Sequence, residues 1–395
     1  MNSTPKEEIQ ARIVGLQVLL AENNLDAALI VQRADLFYYS GTGQDAHLFV
    51  PVEGLPLLLV RKSFERALED SPISDIREVK TLGQLKQAVD SAHTGKNNAL
   101  GMELDVLPVN NFRLYEDLFP GTEIKDVSPL IKWQRMVKSA YEIEKIRRAA
   151  LLNDELFSNV RCLLREDMSE MEFAGLLEAF YRKKGHQGHV RVRSFNQEVF
   201  YGHVMSGANL AVPSCSVGPT GGPGPNASMP QGAGLKAIRK HEPISIDYVG
   251  IVDGYMVDQA RTFFLGDPPE KFLRAHEVAL SIQNTLARQG APGGAAEDLY
   301  NIAVEMAEQA DLSDGFQGYP QPVPFIGHGF GLELDEFPII GRKSPHVLQP
   351  GMVVAFEPKF IMPGEGLAGI ENSFVMTMEG FSKLTHFDDA IQVLS

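Results

Sequence analysis

The stretch PISIDYVGIVDGYMVDQARTF, residues 243–263, decides how this chain is organised. It consists of two runs rich in β-branched residues, joined at Asp253-Gly254. Asp-Gly between two such runs is a strong local signal of a β-hairpin with a two-residue loop. The stretch therefore predicts two paired antiparallel strands in the second half of the chain.

Two aspartates occupy positions that this pairing brings together. With the loop at Asp253-Gly254, Asp247 faces Ala260 and Asp258 faces the residue at 249, so both aspartates lie on one face as diagonal neighbours. Diagonal Cβ atoms are about 7–8 Å apart, which is within reach of one shared ion. Because carboxylates on one face repel unless a cation or a proton lies between them, the pattern indicates either a cation site or a solvated face.

Composition and charge narrow the class of protein. A chain of 395 residues favours two domains. A net charge of −15 argues against nucleic acids and anionic membranes as partners, because both require a basic surface. Cys162 and Cys215 are too few for a disulfide framework, residues 1–8 contain no apolar run typical of a signal peptide, and no apolar run approaches membrane-spanning length. We therefore expect a cytoplasmic protein without a membrane or nucleic-acid partner.

The pattern of elements predicts a domain at residues 1–132 and another at 133–395. In the first, an amphipathic helix beginning near Pro5 precedes short apolar runs at 27–31, 36–39, 47–52 and 55–60, a helix near 81–92 and a strand near 99–103. Glu53-Gly54 predicts a hairpin between the last two runs. This alternation is typical of an α/β domain.

The second domain combines longer helices with strands and one irregular segment. Helical patterns cover residues 138–164, 270–288 and 295–310. Residues 212–234 are dense in glycine and proline, which predicts an irregular loop. That loop is either a surface excursion or a cover over a functional site.

Three more residues are candidates to complete a site with the two aspartates. His328 lies between glycines in Gly-His-Gly-Phe-Gly, Glu357 ends an apolar strand, and Glu371 lies inside a strand-like run. Taken singly, each has an ordinary alternative, as a structural histidine or a surface-strand carboxylate. Together with the aspartates they form an oxygen-rich set that suits Mn²⁺, Co²⁺, Fe²⁺ or Zn²⁺ in a two-metal arrangement.

The order of these motifs resembles the creatinase/aminopeptidase P/prolidase family of metallopeptidases. The motifs are Asp-x10-Asp, then Gly-His-Gly-x-Gly, Phe-Glu-Pro and Ile-Glu-Asn. The resemblance implies an α/β creatinase/prolidase-type N-terminal domain, an α+β pita-bread catalytic domain, two divalent metal ions, a small peptide or small-molecule substrate, and a homodimer. It also implies a role for each ligand: Asp247 binds one metal, His328 the other, Asp258 and Glu371 bridge them, and Glu357 both ligates and exchanges a proton with the attacking water.

The chain departs from the family pattern at four positions. Ser214 and Asp335 stand where family peptidases have histidines, Gly369 where an arginine is common, and Ala260 where a threonine is common. Asp335 adds negative charge near an acidic site, so it would favour a cationic substrate group or serve as an extra ligand. His203 is the nearest remaining histidine and a candidate replacement for a lost one.

The sequence therefore predicts a metal-dependent hydrolase that cleaves an Xaa-Pro amide with water activated by the two ions. Its catalytic candidates are Glu357, His203 and Asp335. One alternative is a different reaction on the same fold, either creatinase-like amidine hydrolysis or a metal-assisted lyase reaction on a small sulfonium acid; the missing histidines favour it. The other is a non-catalytic scaffold, against which the complete ligand set argues.

Overall fold

The computed structural model describes residues 3–92 and 98–394, so the first two residues of the N-terminal segment discussed above lie outside it. The chain divides into two compact units, Met1–Arg135 and Met136–Ser395. None of the helices in the described residues combines the length and the apolar character that crossing a membrane requires. Cys162 and Cys215 are both free and exposed.

The first unit is built on a six-stranded mixed sheet. Its elements are α1 (Lys6–Glu22), β1 (Ala27–Ile30), α2 (Arg33–Ser40), β2 (Ala46–Pro51), β3 (Leu57–Val60), α3 (Phe64–Asp70), β4 (Asp75–Glu78), α4 (Leu82–Ala92), β5 (Ala99–Met102), α5 (Val109–Leu118), β6 (Glu123–Asp126) and α6 (Ser128–Met136). The sheet order is β4-β3-β2-β1-β5-β6, and the fully buried β1, β2 and β3 lie at its centre. The antiparallel pairing of β2 with β3 confirms the hairpin expected at Glu53-Gly54.

The apolar run at residues 36–39 lies in helix α2 and does not form a strand. The side chain of Gln32 accepts a hydrogen bond from the backbone N–H of Asp35 and so caps the first turn. Gly41, at φ 79°, ends the helix in the left-handed conformation that glycine adopts without strain. These local signals outweigh the apolar composition of the run.

The second unit contains two larger sheets and one hairpin. Its elements are α7 (Ala140–Leu163), α8 (Glu170–Lys183), β7 (Gly202–Ser206), β8 (Ile244–Val252), β9 (Tyr255–Leu265), α9 (Glu270–Gln289), α10 (Ala296–Gln309), β10 (Phe325–Gly329), β11 (Glu336–Gly341), β12 (Val353–Phe356), β13 (Lys359–Met362), β14 (Gly366–Gly369), β15 (Asn372–Thr377), β16 (Gly380–Lys383) and β17 (Gln392–Leu394). The sheet orders are β17-β9-β8-β7 and β11-β10-β12-β15-β16, and β13 pairs with β14.

The β8–β9 hairpin has the predicted register. Asp247 pairs with Ala260 and Asp258 with Val249, which confirms the pairing read from Asp253-Gly254. Asp253 has φ 52° and its glycine neighbour φ 90°, and a two-residue turn with positive φ at both positions matches the right-handed twist of the strands it joins.

The two larger sheets meet beside this hairpin. Ala260 of β9 exchanges two backbone hydrogen bonds of 3.3 Å with Glu371, at the start of β15. Two residues further along each strand, the Ser373 hydroxyl donates to the carbonyl of Asp258 over 2.7 Å. These contacts bring the acidic residues of one sheet against those of the other.

Candidate metal centre

The five residues predicted to bind metal line one cavity. They come from five places in the second unit: Asp247 on β8, Asp258 on β9, His328 on β10, Glu357 just after β12 and Glu371 just before β15. The cavity has a volume of about 190 Å³. The tertiary structure therefore brings together residues that are spread over more than a hundred positions of the sequence.

Asp258, His328 and Glu371 surround a space of the size that one metal ion requires, and Glu357 lies beside it. His328 Nε2 lies 3.8 Å from Asp258 Oδ2, 3.9 Å from Glu357 Oε1 and 4.0 Å from Glu371 Oε1. Donor atoms about 2.1 Å from a common ion are at most about 4.2 Å apart. One donor atom each from Asp258, His328 and Glu371 also lies within 4.8 Å of the others. The residues fit one divalent ion at this position.

A lysine that sequence analysis did not identify occupies the other side of the acidic cluster. Lys359 Nζ donates hydrogen bonds to Asp247 Oδ2 over 2.8 Å, to Glu357 Oε2 over 2.9 Å and to Glu371 Oε2 over 2.9 Å. The available signal was its position: Lys359 follows Glu-Pro directly and begins an apolar run, where a lysine needs partners.

Burial and mutual repulsion shift the pKa values of the cluster. Burial, with Glu371 and Asp247 nearby, raises the pKa of Asp258 well above its usual value. Burial also raises the pKa of Glu371 to about 8, although Lys359 opposes the shift. Burial alone would lower the pKa of Lys359, but Asp247, Glu357 and Glu371 outweigh it and raise that pKa well above the usual lysine value. These shifts show that the fully ionised cluster is unfavourable with Lys359 alone, and a further cation would stabilise the charged carboxylates.

The two remaining catalytic candidates, His203 and Asp335, also line this cavity. His203 of β7 pairs across the sheet with Asp247, and burial lowers the pKa of its imidazole, so that the ring is neutral at pH 7. Asp335 is 40% exposed, and its Oδ1 lies 3.5 Å from Nδ1 of His328. The same ring nitrogen is hydrogen-bonded to the Gly329 carbonyl over 3.0 Å, so Asp335 is its second, more distant neighbour.

The glycine- and proline-rich segment 212–234 forms part of the cavity wall. It has no regular strand or helix, as its composition predicts, and residues 215–220 and 228–231 line the cavity. The sequence left two interpretations of this segment, and its position in the wall favours the one in which the loop covers the functional site. Ser214, which replaces a family histidine, donates its hydroxyl to the carbonyl of Pro230 within the same segment.

A fully buried arginine supports the backbone at Glu371. Arg261 Nη1 donates to the carbonyl of Glu371 over 2.8 Å, and Nη2 donates to Asn372 Oδ1 over 2.8 Å and to Asp389 Oδ1 over 2.9 Å. The guanidinium fork holds several acceptors at once, which a lysine cannot do in the same geometry. The motif Arg-Thr-Phe after Asp258 therefore contributes to the site through the support it gives Glu371.

Comparison with known proteins gives matches over nearly the whole chain. The model of metallopeptidase family M24 matches residues 144–378, and that of the creatinase/prolidase N-terminal domain matches residues 12–137. An Xaa-Pro dipeptidase from Pyrococcus furiosus is 26% identical over 382 residues, covering 95% of this chain and 98% of that protein. The crystal structure of an X-Pro aminopeptidase from Thermotoga maritima MSB8 is 25% identical, with a TM-score of 0.80 over 96% of this chain and 98% of that one. The fold is shared by an Xaa-Pro dipeptidase from Bacillus anthracis. That structure is 22% identical, with a TM-score of 0.84 over 98% of this chain and 100% of that one.

Proposed function

Since the chain belongs to metallopeptidase family M24, we propose that it hydrolyses Xaa-Pro amide bonds in short peptides, using a divalent ion held between Asp258, His328, Glu357 and Glu371. The matches confirm the predicted family, the predicted fold class and the predicted class of metallopeptidase. The convergence of the five acidic and imidazole residues on one cavity is the observation that carries the proposal. The substrate, the ligand roles and the mechanism are inferences from that geometry.

A short peptide suits the size of the cavity. Its volume of about 190 Å³ is below the roughly 300–1,000 Å³ of pockets that bind drug-sized ligands. Relatives named Xaa-Pro dipeptidase and X-Pro aminopeptidase support proline after the scissile bond. The exposed carboxylate of Asp335 gives the cavity a negative group that would attract the ammonium of a peptide N-terminus.

Glu357 is placed to move the proton. A divalent ion held here would lower the pKa of a bound water and would polarise a carbonyl oxygen. Glu357 Oε1 faces His328 Nε2 across the ion position, while Lys359 holds Oε2 at 2.9 Å. Oε1 is then the Glu357 oxygen on the side of the ion position, and we infer that, besides contributing to that position, it would exchange a proton with the attacking water and return it to the leaving amine.

His203 and Asp335 have separate supporting roles in this proposal. The neutral imidazole of His203 offers one N–H donor, which we assign to the substrate backbone. The Gly329 carbonyl, 3.0 Å from His328 Nδ1, accepts at that nitrogen and sets the tautomer in which Nε2 faces the ion position, and the Asp335 carboxylate, 3.5 Å away, adds negative charge beside the same nitrogen. Asp335 is in this view a positioning residue in addition to a charged part of the wall.

Some predictions from the sequence stay predictions. They are the division of function between residues 1–132 and 133–395, a homodimer, cytoplasmic location, and manganese, cobalt, zinc or iron as the metal. Light scattering of the purified protein tests the homodimer, and metal analysis tests the identity of the metal.

The proposal is tested by assaying the protein after chelation and reloading with Mn²⁺ or Co²⁺. The substrates are Xaa-Pro dipeptides and tripeptides, matched Xaa-Ala peptides, and small amidines and sulfonium acids. We expect metal-dependent cleavage of the Xaa-Pro series above the others. Cleavage confined to the amidines, or elimination from the sulfonium acids, would instead establish another reaction on this fold.

Asp258→Asn provides the test of the site itself. It should lower turnover by at least about 100-fold and reduce the metal content, because it removes a buried charged donor. Asp314→Asn, at an exposed aspartate of the same unit, is the matched control and should leave both unchanged. Full activity and full metal content in Asp258→Asn would refute the assignment.

A further inference from the structure

We propose that the ammonium group of Lys359 takes the place of the second metal ion, so that the centre binds a single divalent ion on the His328 side. This inference rests on the proposed metal-dependent function and departs from the two ions that the family resemblance implies. The donor atoms and the support of the lysine backbone lead to it, and the charge of the cluster is compatible with it.

The carboxylate oxygens are divided between two cation positions. Glu357 and Glu371 each direct Oε2 to Lys359 Nζ, over 2.9 Å, and each direct Oε1 towards His328 Nε2, over 3.9 and 4.0 Å. Both glutamates therefore bridge two positions, as a carboxylate does between two cations. One position is filled by an ammonium group of the chain, and the other is bounded by the donors of His328 and Asp258.

The ammonium group is saturated where it lies. A lysine has three N–H donors, and Lys359 Nζ has one acceptor from each of Asp247, Glu357 and Glu371, at 2.8–2.9 Å. Asp247 is the residue that the family pattern assigns to one metal, and its Oδ2 is bound to the lysine here. An ion that coordinated these three oxygens would have to occupy the space of Nζ.

The backbone holds Lys359 in this position. The buried side chain of Gln317 accepts a hydrogen bond from Lys359 N–H over 2.8 Å, and the Gln317 N–H donates to the Lys359 carbonyl over 2.9 Å. Gln317 also donates from Nε2 to the carbonyl of Phe325 over 3.0 Å, which ties the lysine to the strand that carries His328. Opposite Lys359 on β14 stands Gly369, so no side chain competes for the space.

The charge of the cluster is compatible with one ion beside the lysine. Asp247, Asp258, Glu357 and Glu371, when ionised, bring four negative charges to the cavity. Lys359 with one divalent ion leaves a net charge of −1 and Lys359 with two leaves +1, so the carboxylate oxygens that the lysine already occupies, and not the charge, favour a single ion. Without the lysine, two divalent ions would balance the four carboxylates. Removal of the ammonium should therefore create a second ion site.

The experiment measures metal stoichiometry and needs no activity. The full chain is saturated with Mn²⁺, freed of unbound metal by gel filtration, and analysed by plasma mass spectrometry and electron paramagnetic resonance. For the wild type we expect one Mn²⁺ per chain and the hyperfine spectrum of an isolated ion. Two Mn²⁺ per chain with the spectrum of an exchange-coupled pair, as in sites with ions about 3.5–4 Å apart, would overturn the proposal.

Lys359→Met supplies the second arm, because methionine keeps the length and apolar stem of lysine without its charge. We expect this variant to bind two Mn²⁺ per chain and to show the coupled spectrum. Lys240→Met, at an exposed lysine, is the matched control and should bind one. A variant that folds and still binds one ion would refute the role of Lys359; if it does not fold, the wild-type stoichiometry and spectrum decide alone.

The outcomes separate this inference from the proposed function. Two coupled ions together with Xaa-Pro cleavage would reject the proposal that Lys359 replaces the second ion, and would leave the peptidase assignment standing. One isolated ion without cleavage of any Xaa-Pro peptide would reject the peptidase assignment and support the proposal that Lys359 replaces the second ion. A wild type that retains no Mn²⁺ would reject both.

Discussion

Lys359 and Gly369 face each other across the β13–β14 hairpin, and the structure leaves no room for a side chain at position 369. A Cβ atom there would lie 2.8 Å from Cγ of Lys359 and 2.7 Å from the carbonyl oxygen of Pro358. The arginine that is common at this position in the family therefore has no place in this chain. The site obtains its cation from the opposite strand instead.

Gly369→Ala should destabilise the second unit. The added methyl group meets two backbone atoms, the Pro358 oxygen and Lys359 Cα, at 2.7 and 2.9 Å, so the strands must shift. Overpacking of this kind typically costs about 1–3 kcal/mol. Urea unfolding followed by circular dichroism measures the change.

Two variants sharpen the Gly369→Ala experiment. Lys359→Ala should not rescue it, since the clashing atoms include backbone. Gly175→Ala in helix α8, where a Cβ meets nothing within 4 Å, is the matched control and should be neutral or stabilise by up to about 1 kcal/mol. If Gly369→Ala behaves like Gly175→Ala, the packing argument is wrong.

Asp335→Asn should weaken metal binding without removing a ligand. Asp335 Oδ1 is 3.5 Å from His328 Nδ1, and the Gly329 carbonyl, 3.0 Å from the same nitrogen, still orients the ring in the variant. Loss of a partner of a metal-binding histidine typically lowers affinity about 10–100-fold, so we expect a loss of at most about 10-fold here. Competition with a fluorescent chelator measures the dissociation constant. Asparagine tolerates the left-handed backbone at this residue, φ 62°, so the fold should be retained.

Asp311→Asn is the control for that experiment. Asp311 is an exposed aspartate with a similar backbone angle, φ 59°. It should leave the affinity unchanged. Equal affinities for wild type and Asp335→Asn would show that Asp335 does not position His328.

His47 should make the first unit less stable as the pH falls. Burial lowers the pKa of His47 from 6.5 to about 4 in the folded protein. The unfolded chain binds a proton below about pH 6.5, whereas the folded chain does so only near pH 4. The contribution is therefore complete above pH 6.5 and is lost as the pH falls from 6.5 to 4, by about 3 kcal/mol in total.

The fluorescence of Trp133, the single tryptophan of the chain, reports unfolding of this unit. Replacement of His47 by Gln should flatten the dependence of the unfolding free energy between pH 6.5 and 4. Tyr115→Phe removes only the hydroxyl that lies 2.7 Å from His47 Nε2, so it should keep the pH dependence. The same slope in wild type and His47→Gln would contradict the assignment to His47.

Local signals predicted much of the fold and of the ligand set. Asp253-Gly254 set the register of β8 and β9, because a two-residue turn with positive φ at both positions permits only one pairing of its strands. The apolar run at 36–39 was ambiguous, since a short apolar run carries no period, and the cap at Gln32 and Gly41 decided it as a helix.

The sequence by itself determined the hairpin register, the family and which residues could bind metal. The reason is that the turn and each motif can be recognised from residues that are adjacent in the sequence. Only the tertiary structure decided what those residues surround. Lys359 and Asp247 are 112 positions apart, and their 2.8 Å contact depends on the way the hairpin β13–β14 lies against the sheet that contains β8. The contact of Asp335 with His328 Nδ1 and the place of residues 215–220 in the cavity wall depend on the same packing. Such contacts follow from where whole strands lie in space, which no local pattern specifies.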